Sequence, residues 1–271
     1  MTTFFKGLWI VVLFIVLTVL TQIGGVLYLL HRGLAWRLKL SHFYKRLALF
    51  SGLYLAVCLF LIPLIAPQFG RVHLPVFDGS KMALQPANLL LCLANRHYVR
   101  PELKTISTKV AEQMAEQYPG LQLVYLDANF PFWNGFPLLP HRSHDDGEKL
   151  DLTFVYRYSN GDFLSKGPSF LGYGYCEAAK PEESNQVDIC TKRGYWQYGL
   201  TERLAFGKKR NLSIDEKATI ALIKAFAQEK GIGKIFIEPH LKQRWGLQNN
   251  SKIRFHGCPA VRHDDHIHLQ L

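Results

Sequence analysis

The chain has 271 residues and a formal net charge of +11, room for a membrane anchor and one domain of ordinary size. Residues 1–67 hold no Asp or Glu and the cations Lys6, Arg32, Arg37, Lys39, Lys45 and Arg46, so this stretch carries +6 and the well-mixed remainder +5. The basic balance therefore belongs largely to membrane flanks, which argues against a nucleic-acid partner.

Leu8–Leu30 is uncharged and apolar, long enough to cross a bilayer at ~1.5 Å per residue. It exceeds the ~7–15-residue core of a signal peptide, and no small-x-small cleavage site follows it. A second uncharged run, Leu47–Ile65, closes at Pro67. The loop His31–Arg46 between them contains five Lys or Arg and no acid, which the positive-inside rule places in the cytoplasm. The pattern predicts a two-helix transmembrane hairpin over 1–67 with both ends facing outward. It also predicts an extracytoplasmic, periplasmic domain over 68–271, held at the inner membrane. Of five cysteines, Cys58 lies within the second run. Cys92, Cys176, Cys190 and Cys258 fall in the exported part and are compatible with two disulfides, with Cys176–Cys190 the preferred pair and Cys92–Cys258 the other. No Cys-x-x-Cys occurs, which argues against a cysteine zinc site.

Phe69–Ala83 reads as a linker broken by Gly70, Pro75 and Gly79. Asn88–Asn95 and Pro101–Tyr118 read as helices, the second with Ile106, Val110, Met114 and Tyr118 in one apolar stripe. Leu121–Leu126 is a predicted strand, and Asn129–Pro140, rich in Pro, Gly and aromatics, a loop. Leu150–Tyr158 is the next strand, placing Leu152, Phe154 and Tyr156 on one face and Asp151, Thr153 and Val155 on the other, with a turn at Asn160-Gly161. Gly167–Trp196 reads as a long insertion. Ser213-Ile214-Asp215-Glu216 has the form of a capping box with Ser213 as N-cap. It opens a helix with Ile220, Leu222, Ile223 and Phe226 inward, ending near Gly231. Ile235–Ile237 and His266–Leu271 complete an α+β domain with a small, mainly antiparallel sheet and flanking helices.

Two clusters carry chemistry. One runs from His141 to Asp151 and contains His141, His144, Asp145, Asp146 and Asp151. The other is Arg262-His263-Asp264-Asp265-His266-Ile267-His268. Imidazole and carboxylate suit a borderline metal such as zinc. On a strand His266 and His268 share one face, so together they supply two ligands, or one ligand and a base.

His144, Gly147 and Asp151 have the spacing His-x-x-Gly-x-x-x-Asp, with His141 as a His-x-x-His lead-in, and the tail reads His-x-x-His-x-His. These motifs resemble the zinc peptidases that group lysostaphin, the D-Ala-D-Ala peptidases and the hedgehog signalling domain, most closely the penicillin-insensitive murein endopeptidases. Lys234–Pro239 and Leu241-Lys242-Gln243 look like that family's segment before the tail. The similarity covers Pro140 to the end, leaving out the membrane segments and the Tyr173–Tyr198 insertion. It implies zinc ligands at His144, Asp151 and His268, a general base at His266, and substrate- or oxyanion-contacting histidines at His141 and His263. The Phe130–Pro137 stretch departs from the Gly- and Ser-rich lead-in of the family, and the Cys176- and Cys190-bearing insertion is positioned to narrow or roof the site.

The resemblance implies a membrane-anchored zinc metallopeptidase acting on the peptide cross-links of peptidoglycan. The alternatives are a D,D-carboxypeptidase with the same metal chemistry and a non-catalytic, zinc-stabilised module binding cell wall or protein. His73, His97, His240 and His256 lack motif support and read as ordinary histidines. Among Asp145, Asp146, Asp264 and Asp265, one at best is expected to orient a metal-site histidine. Phe130, Phe132, Trp133 and Phe136 read as packing under their loop.

Overall fold

The computed structural model describes residues 2–76 and 82–271, so residues 77–81 of the predicted linker lie outside the described part. Helices α1 (Thr2–Thr21), α2 (Gly24–Arg37) and α3 (Phe43–Ala56) open the chain. From α3 the helix continues through a π-helical turn (Val57–Leu61), α4 (Ile62–Ile65) and a 3-10 turn (Ala66–Phe69). This continuous stretch, Phe43–Phe69, is the one helix among the described residues long and apolar enough to cross a membrane, while Phe5–Thr21 is a shorter apolar helix.

The first apolar run is therefore not the single helix expected from Leu8–Leu30. It breaks at Gln22, whose φ of 67° is left-handed, and Gly24 N–H donates to Thr21 Oγ1 at 2.8 Å. The chain then doubles back: a Cβ on Gly25 would stand 2.0 Å from Thr18 Oγ1 and 2.5 Å from the Phe14 carbonyl. Only glycine allows that approach. The reversal is paid for in hydrogen bonds. Gln22 Nε2 donates to Phe132 O at 3.2 Å, Phe132 N–H donates to Gln22 Oε1 at 2.9 Å, and Asn95 Nδ2 donates to Thr21 O at 3.3 Å. So α1 runs towards the domain, α2 away from it, and α3 back. The start of α1 and the Leu38–His42 turn therefore lie at the same end of the three helices, opposite the end bonded to Phe132 and Asn95, whereas a two-helix hairpin would put the start of the chain at the domain end.

The remaining elements are β1 (Val72–His73), β2 (Leu84–Pro86), α5 (Leu89–Leu93), β3 (Tyr98–Val99), α6 (Pro101–Gln117), β4 (Leu123–Tyr125), β5 (Lys149–Thr153) and β6 (Tyr156–Tyr158). They are followed by α7 (Gln186–Lys192), α8 (Leu200–Leu204), β7 (Leu212–Ile214), α9 (Glu216–Gln228), β8 (Lys234–Phe236), α10 (Pro239–Arg244), β9 (Ile253–Arg254) and β10 (His266–Gln270). The fold is α+β. Its main sheet has six strands in the order β2-β4-β5-β10-β8-β9. The three inner pairings are antiparallel, and the two edge pairings, β2 with β4 and β8 with β9, are parallel.

The sheet has one apolar face. Leu150 and Leu152 of β5, Ile267 and Leu269 of β10 and Ile235 of β8 pack with Leu103, Val110 and Met114 of α6 and Leu222, Ile223 and Phe226 of α9. Alternation along each strand then places Asp151, Thr153, His266 and His268 on the opposite face. The expected Leu150–Tyr158 strand is two strands in different sheets, because β6 leaves the main sheet to pair with β7. Ser213 lies in β7, so the N-cap of α9 is Asp215, whose carboxylate accepts from Ala218 N–H at 3.0 Å.

The expected cysteine pairing is also corrected. Cys190 is bonded to Cys258, while Cys92 and Cys176 are free. The bond ties α7 of the insertion to the loop leading into the histidine tail. Proximity along the chain favoured Cys176–Cys190, but the fold turns the buried Cys190 side chain towards the tail instead.

Candidate metal centre

The site is made where the two central strands meet. Antiparallel register sets His268 directly across from Asp151 and His266 across from Thr153. Cross-strand partners on one face have Cβ atoms about 4.5–5.5 Å apart, so the pairing alone brings His268 to Asp151. His144 arrives from the loop before β5. That loop turns at Gly147 (φ 88°), where a Cβ would meet Arg71 Nε at 3.1 Å. The buried Arg71 guanidinium donates to the carbonyls of Phe130, Phe132 (2.9 Å) and Asp145 (3.2 Å) and to Asn134 Oδ1 (2.7 Å). It thereby clamps the aromatic loop to the histidine loop. Phe130 and Phe132 are buried as packing residues, whereas Trp133 is exposed.

His144 Nδ1 lies 2.6 Å from Ala128 O. A carbonyl can only accept, so Nδ1 carries the proton and Nε2 presents a lone pair. That Nε2 is 3.1 Å from His268 Nδ1 and 3.3 Å from Asp151 Oδ1, and His268 Nδ1 is 2.9 Å from Asp151 Oδ1. Ligands of a tetrahedral metal with ~2.0–2.2 Å bonds stand about 3.3–3.6 Å apart, so a small outward movement accommodates an ion. Burial pushes His268 down to about 3 in spite of Asp151, which keeps it in the neutral form that binds metals. All three residues are buried, and their converging acceptors can hold a metal ion.

A second group, His141, Asp151 and His266, shares the same carboxylate. Two of its atoms are already engaged. Asp151 Oδ2 accepts from Tyr173 OH at 2.7 Å, and His141 Nδ1 sits 2.9 Å from Asp127 Oδ2. His266 Nε2 is 3.7 Å from Asp151 Oδ2 and has no hydrogen-bond partner among the described residues.

His266 and His268 share a strand face and complete burial, yet their charges differ. Burial works against a charged His266 ring, but Asp265, 2.5 Å from its Nδ1, and Asp151 outweigh it and push His266 up to about 9. Asp265 is thus the one aspartate of the four that touches a site ring. Asp264 pairs with Arg262, Asp146 with Lys149, and Asp145 binds Arg71 through its carbonyl. His263 is fully buried, which holds its ring well below the usual range, and its backbone N–H donates to Glu238 Oε1 at 2.9 Å.

The site opens into a cavity of about 710 Å³. Its lining includes His141, His144, His256, His263 and His268, with Leu139, Pro140, Trp196 and Leu200 around them. His256, read from sequence as ordinary, is a site residue. It stacks on Phe236 at 4.2 Å, with its ring centre 5.5 Å from that of His268, and burial pushes it down to about 4. Asp127 was missed as well. It takes a bidentate bond from Arg96 at 2.6 and 2.7 Å and fixes His141. Neither residue lies in a motif. A strand-end Asp beside the aromatic loop was the only available sign of Asp127.

The insertion packs into the site. Tyr173 bonds Asp151 and packs against the rings of His141 (4.7 Å) and His266 (5.0 Å). Gly174 N–H donates to Asp265 Oδ2 at 2.5 Å, and Tyr198 OH donates to Glu238 Oε1 at 2.5 Å. The structure brings together His141, His144, Asp151, His263, His266 and His268, all six residues singled out in the sequence. No protein-family model matches this chain, and no curated protein matches it.

Proposed function

We propose that the chain is a membrane-anchored zinc metallopeptidase that hydrolyses the peptide cross-links of peptidoglycan outside the cytoplasm. The observation that supports it most is the convergence of His144 Nε2, Asp151 Oδ1 and His268 Nδ1 on one point beside an open cavity. Three protein ligands of this type match the donor set of catalytic zinc, which keeps one position open. When bound, zinc supplies Lewis acidity towards a peptide carbonyl and makes water acidic near pH ~7.

The chain's own residues divide the remaining work. His266 is held through Nδ1 by Asp265 and turns an unpaired Nε2 into the site, the position of a general base. Asp265 and Asp151 favour its charged form in the metal-free chain, and a cation held at Asp151 would offset that pull and leave Nε2 free to take a proton. His141, held by Asp127, and His263, on the far side of His266, flank the same point. They are placed to hydrogen-bond a bound peptide and the negative charge that develops on its carbonyl oxygen. The peptidoglycan substrate rests on the resemblance of the two motifs to murein endopeptidases. Anchoring rests on the apolar Phe43–Phe69 helix and on the cations gathered at the end of the helices away from the domain.

The test is mass spectrometry of purified murein fragments after incubation with the zinc-loaded full chain in detergent. Conversion of cross-linked muropeptide dimers to monomers is expected. Removal of a terminal D-Ala alone would make it a D,D-carboxypeptidase, and zinc binding without turnover a binding module.

A further inference from the structure

We propose that the domain is seated on the anionic surface of the same bilayer through a lipid-binding face made of α5, the Phe170–Phe206 pair and the basic segment 203–210. This rests on the membrane-anchor reading and adds a second, peripheral contact to it. The first argument is height. Helix α2 has 14 residues, so it rises only ~21 Å at ~1.5 Å per residue, short of the ~30 Å hydrocarbon core of a bilayer. Its domain-side end, the Gln22 turn, therefore falls in the outer part of the acyl region, up to ~9 Å below the headgroups. Irregular backbone is tolerated there only when protein covers it, and here protein does. Phe132 and Asn95 bond the turn, and Tyr54 OH of α3 donates to Leu93 O at 2.6 Å. Those bonds fix the 88–95 and 130–134 segments at the same depth as the turn.

The side chains flanking the bonds suit that depth. Leu89 and Leu90 are each 49% exposed and Leu93 39%, while Trp133 stands out at 57%. Exposed apolar side chains gathered in this way are unusual on a surface that meets only water, and a Trp at the edge of a bilayer is a common interfacial anchor. The face continues sideways. Asn88 Nδ2 donates to Phe170 O at 2.9 Å, and the exposed rings of Phe170 and Phe206 stack with centroids 5.2 Å apart. Around Phe206, residues 203–210 hold Arg203, Lys208, Lys209 and Arg210 and no acid. Two exposed aromatics flanked by unopposed cations match the acyl edge and the phosphates of an anionic leaflet.

The face also borders the metal centre. A small cavity runs from Leu91, Leu171 and Ala205 to His141 and Asp127. Seating the domain this way holds one flank of the site against the membrane surface, where peptides close to the bilayer are within reach.

A photo-cross-linking amino acid placed singly at positions 59, 90, 206 and 249 of the full chain in lipid nanodiscs tests this, with cross-links to phospholipid read by mass spectrometry. Position 59 reports the spanning helix, where Leu59 is exposed, and position 249 the opposite edge of the sheet, where Asn249 is exposed. Phospholipid adducts are expected at 59, 90 and 206 and not at 249. Lys208→Glu with Arg210→Glu should lower the adduct at 206 severalfold in discs containing phosphatidylglycerol, and should not lower it in pure phosphatidylcholine. Adducts at 59 with only the background of position 249 at 90 and 206 would overturn the seating while leaving the anchor intact. No adduct at 59 would overturn the anchor itself. Cross-links from 206 to a second copy of the chain would assign the face to self-association and overturn the lipid contact.

Discussion

Replacing His268 or His266 singly by Ala separates metal ligand from base, although the two share one strand face. His268 Nδ1 is one corner of the ligand triangle, 3.1 Å from His144 Nε2 and 2.9 Å from Asp151 Oδ1. Structural zinc sites with four ligands bind with about 10–16 kcal/mol, or roughly 2.5–4 kcal/mol per ligand. Losing His268 is therefore expected to weaken binding by ~10²–10³-fold, and hydrolysis disappears with the metal. His144→Ala and Asp151→Ala should behave alike. His266 lies outside the triangle, 3.7 Å from the other oxygen of Asp151. His266→Ala should keep most of its zinc yet lose ~10²–10⁴-fold in rate, the range for removal of a general base. Metal content by mass spectrometry after dialysis against a zinc buffer reads the first effect, and single-turnover hydrolysis of cross-linked muropeptides the second. Circular dichroism confirms that each variant folds. Zinc lost from His266→Ala and kept in His268→Ala would reverse the assignment. Unchanged hydrolysis in all four variants would refute the peptidase.

Three further outcomes are expected. An impermeant maleimide should label Ser184→Cys only from outside the cytoplasm and Lys39→Cys only from inside. An N-terminal epitope tag should be reached from the Lys39 side, whereas a simple two-span hairpin would expose it on the Ser184 side. Non-reducing peptide mapping should recover Cys190 joined to Cys258, and Cys190→Ser with Cys258→Ser should cost ~4 kcal/mol in the chain-entropy account of a long loop; a Cys176–Cys190 peptide would contradict the fold of the insertion. Burial pushes Glu238 up to about 7 from 4.5, so between those values the unfolded chain has released a proton that the folded chain retains. Stability should then fall as pH rises from 4.5 to 7, by roughly 3 kcal/mol, and level off above. Glu238→Gln should flatten that slope in urea titrations, and an unchanged slope would show that Glu238 is ionised in the fold.

The residues of the two motifs, among them His144, Asp151 and His268, are the ones the fold gathers into a buried cluster able to hold a metal, and each motif was legible because its own spacing is local. His-x-His on a strand obliges both rings to share a face, and His-x-x-Gly-x-x-x-Asp joins a loop ligand to a strand ligand through one turn. Periodicity likewise located α6, α9, β5 and β10. The surroundings of those residues were not legible. Asp127 and His256 come to the site from a strand end and a loop that carry no pattern, and Tyr173 from an insertion that resembles nothing.

Composition by itself determined that residues 1–67 are apolar, acid-free and suited to a membrane, and that two histidine clusters exist. Only the tertiary structure decided how each is used. Whether an apolar run makes one helix or two depends on a partner for Gln22, supplied by Phe132 from 110 residues away. Which cysteine meets Cys190 depends on how the tail loop packs against α7, and not on distance along the chain. His266 and His268 are equivalent by sequence, two imidazoles on one face. They differ because Asp265 turns back onto one ring while the other is left among buried acceptors, and a contact of that kind is a property of the folded surroundings.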